Sequence, residues 1–188
     1  MNFVAIDFET ANFNVNSACA VGLVKCINGE FVDEREWFIR PPTSFFEKKC
    51  IKIHGMTYED VYDKPSFQVI WCREMADFIG DFPLVAHNAV FDRGVLYGTL
   101  KYYGLAVPSF WWGCTLEMTR KILRKGCDYR QPDCKLNSVA AHFGIIFRHH
   151  NALEDSLAVA KITREIQKMI SPEEFRHFFR QFNGLRKI

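Results

Sequence analysis

The chain has 188 residues and a formal net charge of only +2. That near-neutral balance excludes a globally basic nucleic-acid binder but not a local basic patch. One domain spanning residues 1–188 is expected, and a chain of this length buries roughly 70% of its unfolded surface without staples. The seven cysteines are odd in number and contain no C-x-x-C pair. They therefore read as reduced thiols of a cytoplasmic protein, not as a disulfide framework or zinc ribbon. No secretory signal pattern is visible, and no apolar run approaches the ~20 residues of a membrane span.

In chain order, Phe3 to Phe8 is short, apolar and free of Gly and Pro, so it predicts a strand. Ala18 to Ile27 and Glu30 to Ile39 predict two more, joined by a hairpin turn at Asn28-Gly29 and ended by Pro41 and Pro42. A short helix is expected to begin at Met56 to Asp60, with Thr57 as its cap. Ser66 to Ile79 has helical spacing, Pro83 to Asn88 reads as a short strand, and Ala89 to Tyr103 as a helix stopped by Gly104. Phe110 to Cys114 predicts a fifth strand. Helices are expected over Leu116 to Leu123, Leu136 to Phe143, Ala152 to Met169 and Pro172 to Phe182, the last opened by Ser171-Pro172. Three strands with tight turns, followed by alternating strands and helices, give an α/β sandwich with a mixed sheet.

The opening strand poses the central question, because "VAIDFET" places Asp7 and Glu9 on one face of an apolar strand. Two carboxylates that close repel, and unpaired burial is costly, so something positive or a proton must accompany them. "VAHNAVFDRG" repeats the logic: a short strand ends at His87-Asn88, and Asp92 sits one turn into the next helix. "HHNALEDSLAVA" places Asp155 in the first turns of a helix with His150 just before it. Open α/β sheets build their sites outside the strand C-termini. Asp7, Glu9, Asp92 and Asp155 would then share one rim. Oxygen-only ligation suits Mg²⁺ or Mn²⁺, and two such ions ~3.5–4 Å apart can clamp a phosphate ester.

With these stretches in view, the chain resembles the DEDD-type 3′-5′ exonucleases of the ribonuclease H-like superfamily, in the His-containing variant. "IDFET", "HNAVFD" and "HNALED" look like its three motifs in order. "IHGMT" (Ile53 to Thr57) resembles a segment of members similar to the proofreading epsilon subunit of bacterial DNA polymerase III. The resemblance implies a ribonuclease H-like three-layer α/β/α sandwich with a five-stranded mixed sheet. It implies a metal-dependent enzyme that hydrolyses phosphodiester bonds from a 3′ end and releases nucleoside 5′-monophosphates. It assigns Asp7, Glu9, Asp92 and Asp155 to a site for two Mg²⁺ or Mn²⁺ ions, and His150 to the general base. His149 is expected to be solvated, and His87 to be a hydrogen-bonded structural residue. Thr10, Ile53, His54, Asn88 and Phe91 should line the terminal-nucleotide pocket, with core packing kept open for Phe91. Where many relatives read Thr-Gly after the first motif, this chain has Ala11-Asn12.

The implied partner is a single-stranded or frayed 3′ end. DNA comes first, in a proofreading or repair-like role that leaves room for a DNA polymerase or repair partner. An RNA-trimming or oligoribonucleotide-degrading enzyme is the alternative, and a catalytically silent nucleic-acid-binding module the alternative of another class. A homodimer is open but not indicated. Arg120 to Lys135 carries six Lys/Arg against two Asp and could guide a strand; a solvated helix end and loop is the competing reading. The Phe-rich tail "FRHFFRQF" reads as a packing helix.

Overall fold

A computed structural model describes residues 1–124 and 129–182. Six strands form one sheet: β1 (Phe3–Thr10), β2 (Ala18–Ile27), β3 (Glu30–Phe38), β4 (Leu84–Ala86), β5 (Phe110–Cys114) and β6 (Arg180–Phe182), in the order β3-β2-β1-β4-β5-β6. β1, β2 and β3 are antiparallel neighbours, β4 and β5 run parallel to β1, and β6 closes the edge antiparallel to β5. The β2–β3 turn has Asn28 at φ 53° and Gly29 at φ 86°, the pair of positive φ angles that an Asn-Gly hairpin supplies at low cost.

Helices cover both faces. On one side lie α2 (Phe67–Ile70), a π-helical stretch (Trp71–Met75) and α3 (Ala76–Ile79), which together form the predicted helical run, and α4 (Val90–Tyr102). They pack on Val4, Ile6 and Phe8. On the other side α6 (Leu136–His142), α7 (Ala152–Met169) and α8 (Pro172–Arg176) pack on Phe3 and Ala5. β1 is thus buried on both faces, as its unbroken apolar run requires. Two further helices, α1 (Lys48–His54) and α5 (Thr115–Met118), stand near strand ends, and α5 continues into a π-helical turn (Thr119–Leu123). Helix α1 was not expected; its C-cap is Gly55 at φ 79°, which explains the glycine of "IHGMT". The Thr57 cap is present, on a 3₁₀ turn.

Two expectations need correction. The sheet has six strands, not five, and the predicted helix Pro172 to Phe182 ends at Arg176. Its start is as expected, with a Ser171–Glu174 capping box and Pro172 in the first turn. The remainder turns back, and Arg180, Gln181 and Phe182 pair with Trp112, Trp111 and Phe110. An open β5 edge takes priority over local helical spacing because unpaired backbone groups would otherwise face it. Phe182 is held on α4 by the Arg93 guanidinium 3.6 Å from its ring centre, and its carbonyl accepts from the Tyr97 hydroxyl at 3.1 Å. Six cysteines are free thiols and the seventh, Cys127, lies outside the described residues. Among the described residues, no helix is long and apolar enough to cross a membrane.

Phe175 is fully buried, whereas Phe91 is 46% exposed. Phe175→Ala should therefore cost about 3–5 kcal/mol in urea unfolding, and Phe91→Ala less than ~0.5 kcal/mol. A comparable loss for Phe91 would return it to the core.

Candidate active site

The site is assembled at the C-terminal end of β1. Asp7 and Glu9 follow Phe3 and Ala5 on the face that α7 covers. Their antiparallel partners on β2 are Gly22 and Ala20, so small residues leave room for a helix end. That helix end is α7, whose cap Asn151 accepts a hydrogen bond from the Glu154 amide at 3.0 Å. Asp155, in the first turns, points to the sheet and is 3% exposed. Carboxylate oxygens of Asp7, Glu9 and Asp155 all lie within 4.8 Å of one another.

Asp92 arrives from the opposite layer. β4 pairs with β1 only at Val4 and Ala5. Beyond that point the Phe8 amide donates to Asp92 Oδ1 at 3.0 Å. Asp92 is 1% exposed. The four carboxylates expected from the sequence therefore converge from β1, α4 and α7.

Their electrostatics are unbalanced. Burial, and then the charges of Asp92, Asp155 and Glu9, push Asp7 well above the usual carboxylate range. Burial and the charge of Asp155 push Glu9 up to about 7, against the opposing pull of His149. Burial pushes Asp92 up to about 8, although the Phe8 amide and its own backbone amide work the other way. Among the described residues, no lysine or arginine pairs with any of them; the one ion-pair partner is His149, on Asp155. A cluster of oxygen donors, buried at Glu9, Asp92 and Asp155 and partly open at Asp7, that is short of positive charge fits hard divalent cations.

The two histidines are differently placed from what the sequence suggested. His149 is not simply solvated: its Nδ1 sits 2.9 and 3.1 Å from the two oxygens of Asp155. That contact raises its pKa. The His150 backbone amide also donates to Asp155, at 3.1 Å, while its ring stacks on His149 with 3.8 Å between centroids. His150 has φ 70°, an unusual conformation for a non-glycine residue. Its ring lines a cavity of about 180 Å³ with Glu9, Glu36, His54, Arg148 and Asn151. Burial, then the neighbouring His149, lower its pKa and favour the neutral imidazole.

Of the expected pocket residues, Ile53, Asn88 and Phe91 are exposed and Thr10 is partly buried. Asn88 has φ 65°, and its carbonyl accepts from the Phe91 amide at 2.9 Å, turning the chain into α4. His54 uses both ring nitrogens within the protein. Nδ1 accepts from the Met56 amide at 3.0 Å, so Nε2 donates to the Thr10 carbonyl at 3.2 Å and fixes the tautomer. His87 is bonded as expected, Nδ1 to the Thr115 hydroxyl and Nε2 to the Cys134 carbonyl, both at 2.9 Å; burial pushes its pKa down to about 4.

Three features were missed. Asn151 donates to Glu36 at 3.1 Å and ties the start of α7 to the edge strand β3. Phe13 is 74% and Phe45 60% exposed. They flank Asn12, which is buried and donates to the Phe45 carbonyl at 3.1 Å. The sequence signal was Phe13 beside the departure at Ala11-Asn12; Phe45, 33 residues away, is brought there only by the fold. In the basic segment, Lys121 is paired with Glu117 at 2.7 Å and Lys135 with Asp133 at 3.5 Å. Arg120, Arg124 and Arg130 are exposed without an ion pair among the described residues, and Lys125 and Asp128 lie outside them. A roomier apolar depression of about 520 Å³, lined by Met1, Pro83, Trp111 and Phe179, lies at the other end of the sheet and brings no carboxylate with it.

The fold is a mixed sheet between helical layers, with four carboxylates gathered at the end of its central strand. Residues 4–163 match the RNase_T family model, described as Exonuclease, and the chain belongs to that family. It is 30% identical over 187 residues, 96% of its length, to a PolC-type DNA polymerase III of Clostridium perfringens. A PolC-type polymerase of Caldanaerobacter subterraneus is 33% identical over 85% of the chain. The chain spans only 12% and 11% of these relatives' lengths. Among solved structures, Exonuclease X in complex with 5′ overhanging duplex DNA matches with TM-score 0.73 at 22% identity, covering 94% of this chain and 98% of that one. The nuclease domain of 3′hExo, a DEDDh family member bound to rAMP, matches with TM-score 0.73 at 18% identity, covering 89% and 92%.

The raised carboxylate pKa values set a pH dependence. Folded Glu9, Asp92 and Asp7 hold protons that the unfolded chain has released above pH ~4.5. Stability is therefore lost as pH rises toward their folded values, and the raised pKa of His149 acts in the same direction. In EDTA the chain should melt at a lower temperature at pH 8 than at pH 6.5, the loss of unfolding free energy being on the order of a few kcal/mol. An equal or higher melting temperature at pH 8 would contradict the electrostatic account.

Proposed function

We propose that this chain is a metal-dependent 3′-5′ exonuclease that releases nucleoside 5′-monophosphates. The observation that carries the reading is the convergence of Asp7, Glu9 and Asp155 without a lysine or arginine partner among the described residues, with Asp92 alongside. These four side chains would hold two divalent cations, Mg²⁺ or Mn²⁺. Bound there, the cations would supply the missing positive charge and polarise the scissile phosphate. His150 takes the proton of the attacking water. Its ring is in the cavity beside Glu9, and burial and the neighbouring His149 lower its pKa, which favours the neutral form a general base needs. His149 orients Asp155 through Nδ1 and is too committed to that carboxylate to serve as the base.

Thr10, Ile53, His54, Asn88 and Phe91 form the terminal-nucleotide pocket. In it, exposed Ile53 and Phe91 offer apolar surface to a base or sugar whatever the sequence, and His54 braces the Thr10 carbonyl. DNA is the first substrate because the curated relatives described above are DNA polymerases. The polymerase relatives likewise support a polymerase or repair partner. RNA is the second reading, supported by a structural relative solved with rAMP. A catalytically silent module would be expected to lack a site residue, and none of the five is missing.

The test is digestion of 5′-labelled DNA and RNA strands, alongside covalently closed circles, with Mn²⁺ or EDTA. The expected result is stepwise shortening from the 3′ end, 5′-monophosphate products and intact circles. Cleaved circles or full activity in EDTA would overturn the reading.

The two histidines should separate kinetically. His150→Ala should lower turnover about 10²–10⁴-fold at unchanged metal requirement. His149→Ala should raise the half-saturating Mn²⁺ concentration roughly 10–100-fold, with turnover largely recovered at high Mn²⁺. The reverse pattern would exchange their roles.

A further inference from the structure

Glycine is a poor strand residue, costing about 0.5–1 kcal/mol relative to alanine, yet Gly22 occupies the middle of β2 directly opposite Asp7. Its φ is not in the left-handed region, so backbone conformation does not require it. Space does. A β-carbon on Gly22 would overlap the carbonyl group of Ala152 and lie 2.5 Å from the Leu153 nitrogen. Both belong to the first turn of α7, and both are main chain, which cannot rotate aside. The same turn is fixed from the far side by Asn151 donating to Glu36 on β3, the register partner of Gly22. One turn on, Asp155 meets Asp7 and Glu9.

We infer that Gly22 is a positioning residue: it lets the first turn of α7 lie against the β2 main chain, and that contact sets the distance of Asp155 from Asp7 and Glu9. The inference rests on the metal reading above, since the distance matters only if these carboxylates share cations. A side chain at residue 22 forces α7 back by about 1 Å, a misplacement sufficient to disable a ligand set.

The test is calorimetric titration of the nucleic-acid-free chain with Mn²⁺, read as stoichiometry and affinity. The wild type should bind two ions. Gly22→Ala should melt cooperatively but bind at least one ion roughly 10-fold or more weakly. Ile162→Val, a buried change in the same helix, costs about 0.5–1.5 kcal/mol of stability and should keep both ions. A folded Gly22→Ala chain that binds both ions with wild-type affinity overturns the inference. Failure of the wild type to bind two Mn²⁺ ions would instead strike the metal reading on which it rests. If Gly22→Ala does not fold, Ala152→Val, which thickens the same contact from the helix side, takes its place and should show the same weakened binding. Both ions retained in a folded Ala152→Val chain, or failure of both variants to fold, would make the contact merely structural and overturn the inference.

Discussion

The structure depends on a repulsion that no lysine or arginine among the described residues relieves. Asp7, Glu9, Asp92 and Asp155 meet at the end of a strand buried on both faces, and the nearest histidine serves only one of them. Solvent does not screen such a group well, so each ionised carboxylate raises the cost of ionising the next. Two remedies remain, a proton or an external cation. The protonated cluster is the metal-free state that the raised values of Glu9 and Asp92 describe. The ionised cluster is the one a divalent cation selects. Folding, pH response and cation affinity are therefore one linked equilibrium.

The scaffold makes that repulsion tolerable by bringing the carboxylates on separate elements, each independently anchored. Asp92 is held by the Phe8 amide, and its helix is braced at the far edge by Phe182. Asp155 is held by the capped start of α7, the Glu36 tie and the flat β2 main chain at Gly22. Positive φ angles sit beside the same residues, at Asn88 before α4 and at His150 before α7. Asparagine tolerates this conformation, as Asn28 does in the hairpin, but at His150 it is unusual and must be held by the surroundings. At His150 the strain turns one histidine toward the cavity and the other onto Asp155.

Much of this was readable in the sequence because it obeys local rules. Alternation placed Asp7 and Glu9 on one face, Asn28-Gly29 fixed the hairpin, and Ser171-Pro172 marked a helix start, all without tertiary information. What escaped the sequence depends on distant partners. The tail from Arg180 pairs with an edge strand about seventy residues earlier, and only that open edge converts a helical pattern into β6. Helix α1 is short and mostly polar on its exposed side, so it carries no clear apolar period. The ranking of His149 below His150 by motif spacing hid the contact with Asp155, because spacing says which residue matches a pattern and not where its neighbour's ring must go. Gly22 gave no local signal either: in a strand it is only a weak residue until the helix against it is seen.

The central claim is that the buried carboxylates exchange protons for cations. It is tested most directly by measuring proton release when Mn²⁺ binds, from calorimetric titrations in buffers of different ionisation enthalpy between pH 6.5 and 8.5. The account predicts about one proton or more released per chain at pH 6.5 to 7, falling as the pH passes the raised values of Glu9 and Asp92. Binding of Mn²⁺ with no proton release across that range would show that the carboxylates are already ionised in the free protein, and would contradict it.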